Sequence, residues 1–194
     1  MAYATTAGHG VEHEEPTSTG LSHRKLLMWA FLGSDCMFFG SLIATYMVYK
    51  GKSLVGPFPE DVFSIPTTSV STFVLLMSSM SMVLAYSALT RGSLKGFRIW
   101  ILSTAIMGMT FLAFQVFEFR DFAVHGLTLK TNLFGSTFFT LTGFHGAHVT
   151  LGVIWLLSLF FYSFRGGVTP ERNLDVDLAA LYWHFVDVVW IVIF

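Results

Sequence analysis

The sequence predicts an all-α integral membrane protein, a bundle of five transmembrane helices. Three observations lead there. Hydrophobic residues make up 54% of the 194-residue chain and charged residues only 12%, a balance outside that of ordinary soluble domains. Five apolar runs, at 26–49, 67–89, 99–117, 133–164 and 175–194, have about the length needed to cross a hydrocarbon core of about 30 Å. The links between them carry four of the five prolines and most of the charge.

The same composition excludes several function classes. Net charge is -1 without a long basic block, which argues against nucleic acid and against a polybasic lipid clamp. Cys36 is the single cysteine, so the chain holds no intrachain disulfide, no C-x-x-C redox pair and no two-cysteine copper centre.

Residues 1–25 are rich in Gly, Thr, His and Glu and lack an apolar run, so they read as a mobile polar tail rather than a signal peptide. His9, Glu12 and His13 are metal-ligating types, but a mobile tail has a large ordering cost to meet before it can assemble a site. The membrane domain follows at 26–194. In its first span Asp35 lies near mid-membrane, and Gly33, Gly40 and Ala44 form a small-residue strip that suits close helix approach. The link after it holds Pro57, Pro59 and Pro66, with Phe58 and Phe63 placed to rest at an interface. The second span is broken only by hydroxyls such as Ser71, Ser78, Ser79 and Ser81, which bond to the preceding turn or across helices. The third ends at the charged cluster Glu118-Phe119-Arg120-Asp121. The fourth is about 48 Å of helix and must tilt or project. The fifth carries an acid and an imidazole inside the apolar run Tyr182-Trp183-His184-Phe185-Val186-Asp187-Val188-Val189-Trp190.

Orientation follows from the basic residues. Seven of the eleven, Arg24, Lys25, Arg91, Lys95, Arg98, Arg165 and Arg172, fall in the tail and in alternate links, which places the N-terminus in the cytoplasm and the C-terminus outside.

Three constellations carry candidate chemistry. His145, His148, His184 and Asp187 lie on two consecutive spans and are a sufficient ligand set for zinc or a non-haem metal. The plainer reading is an intramembrane polar network that locks helices, because polar groups inside a membrane commonly pair with one another. Asp35, alone in the first half of the membrane region, suits either proton handling or a structural hydrogen bond. Glu118 and Arg120 sit where they would touch a lipid headgroup or each other, an interfacial salt bridge being the simpler arrangement.

The run Trp183-His184-Phe185-Val186-Asp187-Val188-Val189-Trp190 strongly resembles the closing signature of subunit III of the haem-copper respiratory oxidases. One span upstream, Phe134-Gly135-Ser136-Thr137-Phe138-Phe139 followed by Thr142-Gly143-Phe144-His145-Gly146-Ala147-His148-Val149 is similar to that family's other long signature. Ser34-Asp35-Cys36-Met37-Phe38-Phe39 matches more weakly, at a carboxylate followed by an apolar run. The resemblance covers the chain from about Leu26 to its end.

It implies a non-catalytic subunit of a cytochrome c or quinol oxidase in a bacterial plasma membrane. Such a subunit binds no haem or copper, those cofactors belonging to partner subunits. It would contact subunits I and II and a small subunit IV, hold phospholipid, cover one side of subunit I, shield proton entry and help dioxygen reach the active centre. The resemblance links the membrane carboxylate at Asp35, a Glu in many members, to proton uptake, and assigns the His145, His148, His184 and Asp187 positions to helix packing. Many members have seven spans and run several residues further; this chain matches the five-span form. Two other readings compete: an intramembrane metalloenzyme using the histidines, and a small proton-coupled transporter using Asp35. Transporters of that kind usually have broken helices near the midplane, and here only Gly33 and Gly40 hint at one.

Overall fold

A computed structural model of the chain describes residues 20, 22–50, 65–124, 126 and 132–194. The expectations for His9, Glu12, His13, Phe58 and Phe63 fall outside the described residues. Five long helices account for nearly all of the rest: α1 His23–Tyr49, α2 Ile65–Thr90, α3 Leu94–Val124, α4 Leu133–Phe164 and α5 Leu174–Ile193, with a 3-10 turn at Pro170–Arg172 before α5. No strand occurs among the described residues. All five helices are long and apolar enough to cross a membrane. Helices suit that environment because each satisfies its backbone polar groups internally.

Local chemistry sets several boundaries. Ser22 caps α1 by accepting a hydrogen bond from the Lys25 amide at 3.3 Å, and Asn132 caps α4 by accepting one from the Gly135 amide at 2.7 Å. Pro66 occupies the first turn of α2, where a missing N–H costs nothing. Helix α3 outruns the apolar stretch 99–117 at both ends. Its C-terminal part continues through Glu118-Phe119-Arg120-Asp121 because no Gly or Pro interrupts it and because Phe119 and Phe122 pack on Phe138 and Phe139 of α4.

Successive helices alternate in direction, and contacts run α1 to α4 and α5, α2 to α3 and α5, and α4 to α3 and α5. Two ion pairs join the N-terminal ends of α1 and α5: Arg24 with Asp175, and Lys25 with Asp177 at 2.7 Å. At the same end Arg98 of α3 donates to the hydroxyl of Ser163 at 3.0 Å and to its carbonyl at 2.7 Å, with its guanidinium over the Phe164 ring.

Apolar side chains gain little from leaving lipid, so close packing and interhelical hydrogen bonds must hold the bundle. Trp183 is the centre of that packing. Its ring is 1% exposed and lies in a slot opened by two glycines: a Cβ at Gly108 would sit 2.6 Å from Trp183 Cη2, and one at Gly152 would sit 2.9 Å from Cζ3. The indole N–H then reaches across to the Ser78 hydroxyl at 3.0 Å. Trp190 repeats the arrangement two turns on, donating to Thr72 at 3.0 Å.

Helix α1 is peripheral, burying only Leu32, Asp35 and Phe39. The small-residue strip expected to admit a neighbour meets nothing among the described residues at its glycines, since a Cβ on Gly33 or Gly40 would find no atom within 4 Å. Among the described residues α1 packs mainly on α4 and α5, which leaves that face outward.

Candidate functional site

The polar residues of the membrane region divide into three places. The first joins α1 to α4. Asp35 is 9% exposed, midway along α1, and its Oδ2 lies 3.4 Å from Nε2 of His148. The other ring nitrogen, Nδ1, is 2.8 Å from the Phe144 carbonyl. A carbonyl only accepts, so Nδ1 carries a proton and Nε2 faces the carboxyl. The two groups are within ion-pair distance, but Oδ2 of Asp35 makes no hydrogen bond of ordinary geometry. Rings of Phe38 and Phe39 flank the imidazole, and the Tyr182 hydroxyl donates to the His148 carbonyl at 3.0 Å, fixing that turn of α4 against α5.

The second place joins α5 to α2. His184 Nδ1 and the Ser79 hydroxyl are 2.5 Å apart. Asp187, one turn on and 3% exposed, also faces Ser79, but neither carboxyl oxygen makes a hydrogen bond of ordinary geometry. The third is an aromatic cage around His145, which is fully buried. Trp190 stacks on its ring at 4.8 Å and Phe111 meets it edge-on at 5.9 Å, while neither ring nitrogen has a hydrogen-bond partner.

None of His145, His148, His184 and Asp187 hydrogen-bonds another of the four. His148 turns to α1, His184 to α2 and His145 into rings. Among the described residues no three His, Cys, Asp or Glu side chains gather closely enough to hold a metal ion. The sequence named Ser78 as a hydroxyl that bonds across helices without giving Trp183 as its partner; it missed Thr72, the partner of Trp190, and Gln115, whose amide donates to the Thr142 carbonyl at 2.7 Å. The serine run in the second span was the signal for Ser78.

At the opposite end of the bundle from the ion pairs, α1, α3, α4 and α5 enclose a cavity of about 650 Å³. Gln115, Thr142 and Trp190 line its inner part, and Lys50, Glu118 and Phe194 line it nearer the helix ends. Glu118 accepts from the Thr68 hydroxyl at 2.7 Å, so its carboxylate turns to α2 and not to Arg120, which is exposed.

The family model described as "Cytochrome c oxidase subunit III" matches residues 4–194. The chain belongs to that family. Subunit III relatives include the quinol oxidase subunit 3 of Bacillus subtilis, 39% identical over 86% of this chain and 81% of that protein. The cytochrome c oxidase subunit 3 of Bacillus sp. (strain PS3) is 37% identical over 86% and 80%, respectively. The cytochrome bo(3) ubiquinol oxidase subunit 3 of Pseudomonas aeruginosa is 34% identical over 100% and 91%. Five apolar helices and bacterial relatives make this subunit III a multi-pass protein of the plasma membrane, and its place is in a haem-copper respiratory oxidase.

Proposed function

We propose that the chain acts as the supporting, non-catalytic subunit III of a terminal oxidase, keeping proton entry to the catalytic subunit supplied and holding lipid against it. The observation that carries this is the Asp35–His148 pair: a carboxyl and an imidazole 3.4 Å apart on the face that α1 turns to α4, inside an otherwise apolar region. Each side chain keeps some exposure, 13% for Asp35 and 16% for His148, although the Asp35 oxygen nearest the imidazole is itself buried. A carboxyl and imidazole that trade a proton can buffer it near an entry site. If they were only a helix clamp, an amide would serve as well.

Haem and copper belong in this reading to partner subunits I and II, with a small subunit IV beside them. Phospholipid would cover the exposed α1 face, and Arg120 would lie at a headgroup. The N-terminus would be cytoplasmic, supported by the count of basic residues. His145, His184 and Asp187 serve helix packing.

The test is Asp35→Asn in the intact complex. The expected outcome is an assembled enzyme with an unaltered haem spectrum and slower turnover or proton uptake, most visible at high pH, where protons are scarce. Unchanged activity and proton stoichiometry across pH in the assembled variant would leave Asp35 a structural residue.

A further inference from the structure

The seam between α2 and α5 leaves a polar atom uncovered at mid-membrane. His184 stands halfway along the 20-residue α5, about 15 Å from either end. Its Nδ1 is held by the Ser79 hydroxyl of α2, 2.5 Å away. Its Nε2 has no hydrogen bond among the described residues, and the half-buried ring does not seal that nitrogen inside the bundle. Around it the seam presents exposed apolar side chains: Leu76 and Val83, one turn to either side of Ser79, and Val188 and Ile191, one and two turns beyond His184.

The direction of the bond to Ser79 sets what that nitrogen can do. Ser71, Thr72 and Ser78 of α2 donate to backbone carbonyls one turn back, while Ser79 turns to His184 instead. Neither oxygen of Asp187 accepts in ordinary geometry, so the Ser79 proton goes to Nδ1. A neutral imidazole then carries its hydrogen on Nε2 and offers it outward as a donor. Lipid cannot answer it, because headgroup oxygens lie about 15 Å from the midplane and acyl chains have no acceptor. A water would need two or more polar partners, and the side chains flanking the seam are apolar. Exposed hydroxyls elsewhere in the membrane region, such as Ser34, Thr110 and Thr150, avoid this cost by bonding back to their own helix. An outward imidazole N–H has no such recourse.

We infer that the α2–α5 seam is where a transmembrane helix of another oxidase subunit docks, anchored by a side-chain acceptor (a carboxylate, amide or hydroxyl oxygen) that receives the His184 Nε2 hydrogen. Leu76, Val83, Val188 and Ile191 pack on the apolar flanks of that helix. A histidine inside a membrane is costly unless it meets protein or a water-filled space, and an apolar rim around a single donor suits protein. Membership of the subunit III family supplies the helices that could fill the seam. The inference rests on the chain's place in an oxidase complex and not on the role of Asp35.

The experiment uses the intact complex. p-Benzoylphenylalanine in place of Val188 is photoactivated in native membranes and its adducts are identified, with a crosslink to a different subunit of the oxidase expected. His184→Asn and His184→Gln then separate the two ring nitrogens. Asn keeps an acceptor for Ser79 and loses the outward donor, whereas Gln reaches the Nε2 position with a donor and gives up Ser79. Release of subunit III from the purified complex in dodecyl maltoside is followed by native gel electrophoresis. It should be about threefold faster in His184→Asn, the effect of one interhelical hydrogen bond, and close to the unaltered rate in His184→Gln. Adducts with lipid alone, or with a second copy of this chain, would overturn the inference. So would equal release rates in the two variants, or the reverse order, which would make the tie to Ser79 the whole role of the ring. Asp35→Asn is read by turnover and these variants by crosslink and release, so failure of either reading leaves the other standing.

Discussion

Replacing Gly108 with Ala tests whether the fit of Trp183 between two glycines holds α3, α4 and α5 together. The new methyl would stand 2.6 Å from Trp183 Cη2 and 2.9 Å from Val153 Cγ2, both well inside contact distance. The indole has little room to retreat. Gly152 lies against its other edge, where a Cβ would be 2.9 Å from Cζ3, and its N–H is tethered to Ser78 at 3.0 Å. Overpacking of this kind costs about 1–3 kcal/mol, and the better helix propensity of Ala returns at most about 1 kcal/mol of it. Trp183→Phe removes the part of the ring that the methyl would strike, at the cost of a cavity and one interhelical hydrogen bond of about 0.6 kcal/mol. Ser78 is not stranded by that change, since its own hydroxyl donates to the Leu75 carbonyl at 2.5 Å. In the double variant the methyl enters space that the indole has vacated, so the total destabilisation should fall short of the sum by at least about 1 kcal/mol. The assay is SDS-driven unfolding of the purified subunit in mixed micelles, followed by circular dichroism. Gly33→Ala is the control, because a Cβ there meets nothing within 4 Å, and it should be neutral or mildly stabilising. Additivity of the two changes within about 0.5 kcal/mol, or a Gly33→Ala as harmful as Gly108→Ala, would refute the reasoning.

Three further outcomes are expected. Site-specific tags should report the N-terminus in the cytoplasm and the C-terminus outside, and a result placing both termini on one side would contradict the basic-residue argument. Elemental analysis of the isolated subunit should find no stoichiometric zinc, copper or iron; one tightly bound metal per chain, lost on His148→Ala, would revive the metal reading. Lys25→Ala, which breaks a partly exposed ion pair with Asp177, should cost no more than about 1 kcal/mol, and the loss should shrink in high salt; a larger, salt-independent loss in the same SDS assay would mean that Lys25 has a packing role.

The five helices were legible because the physics behind them is local. A bilayer demands about 20 apolar residues per crossing, and the runs can be read by length and composition alone. The helix ends were less legible. Hydropathy stops where charge begins, whereas α3 continues through Glu118-Phe119-Arg120-Asp121, because its hydrogen-bond ladder needs only the absence of a breaker and Phe122 has rings of α4 to pack against. Membership of the subunit III family was also legible, since two ordered signatures on consecutive spans are a property of residue order.

Partner choice was another matter. Spacing puts His145 and His148 three residues apart on α4, and from sequence they read as companions of His184 and Asp187. In the bundle α4 passes between α1, α3 and α5. One turn of rotation then separates an imidazole that meets Asp35 from one enclosed by Phe111 and Trp190. Helices that are apolar on every side carry no stripe to say which face turns inward, so the sequence alone left that rotation open. It was decided by where Trp183 finds glycine on both α3 and α4, and by which hydroxyls of α2 then come within reach of the tryptophans and His184. The contacts with α2 join residues more than a hundred positions apart. Close packing and hydrogen bonding in lipid select them, and neither acts until the helices have come together.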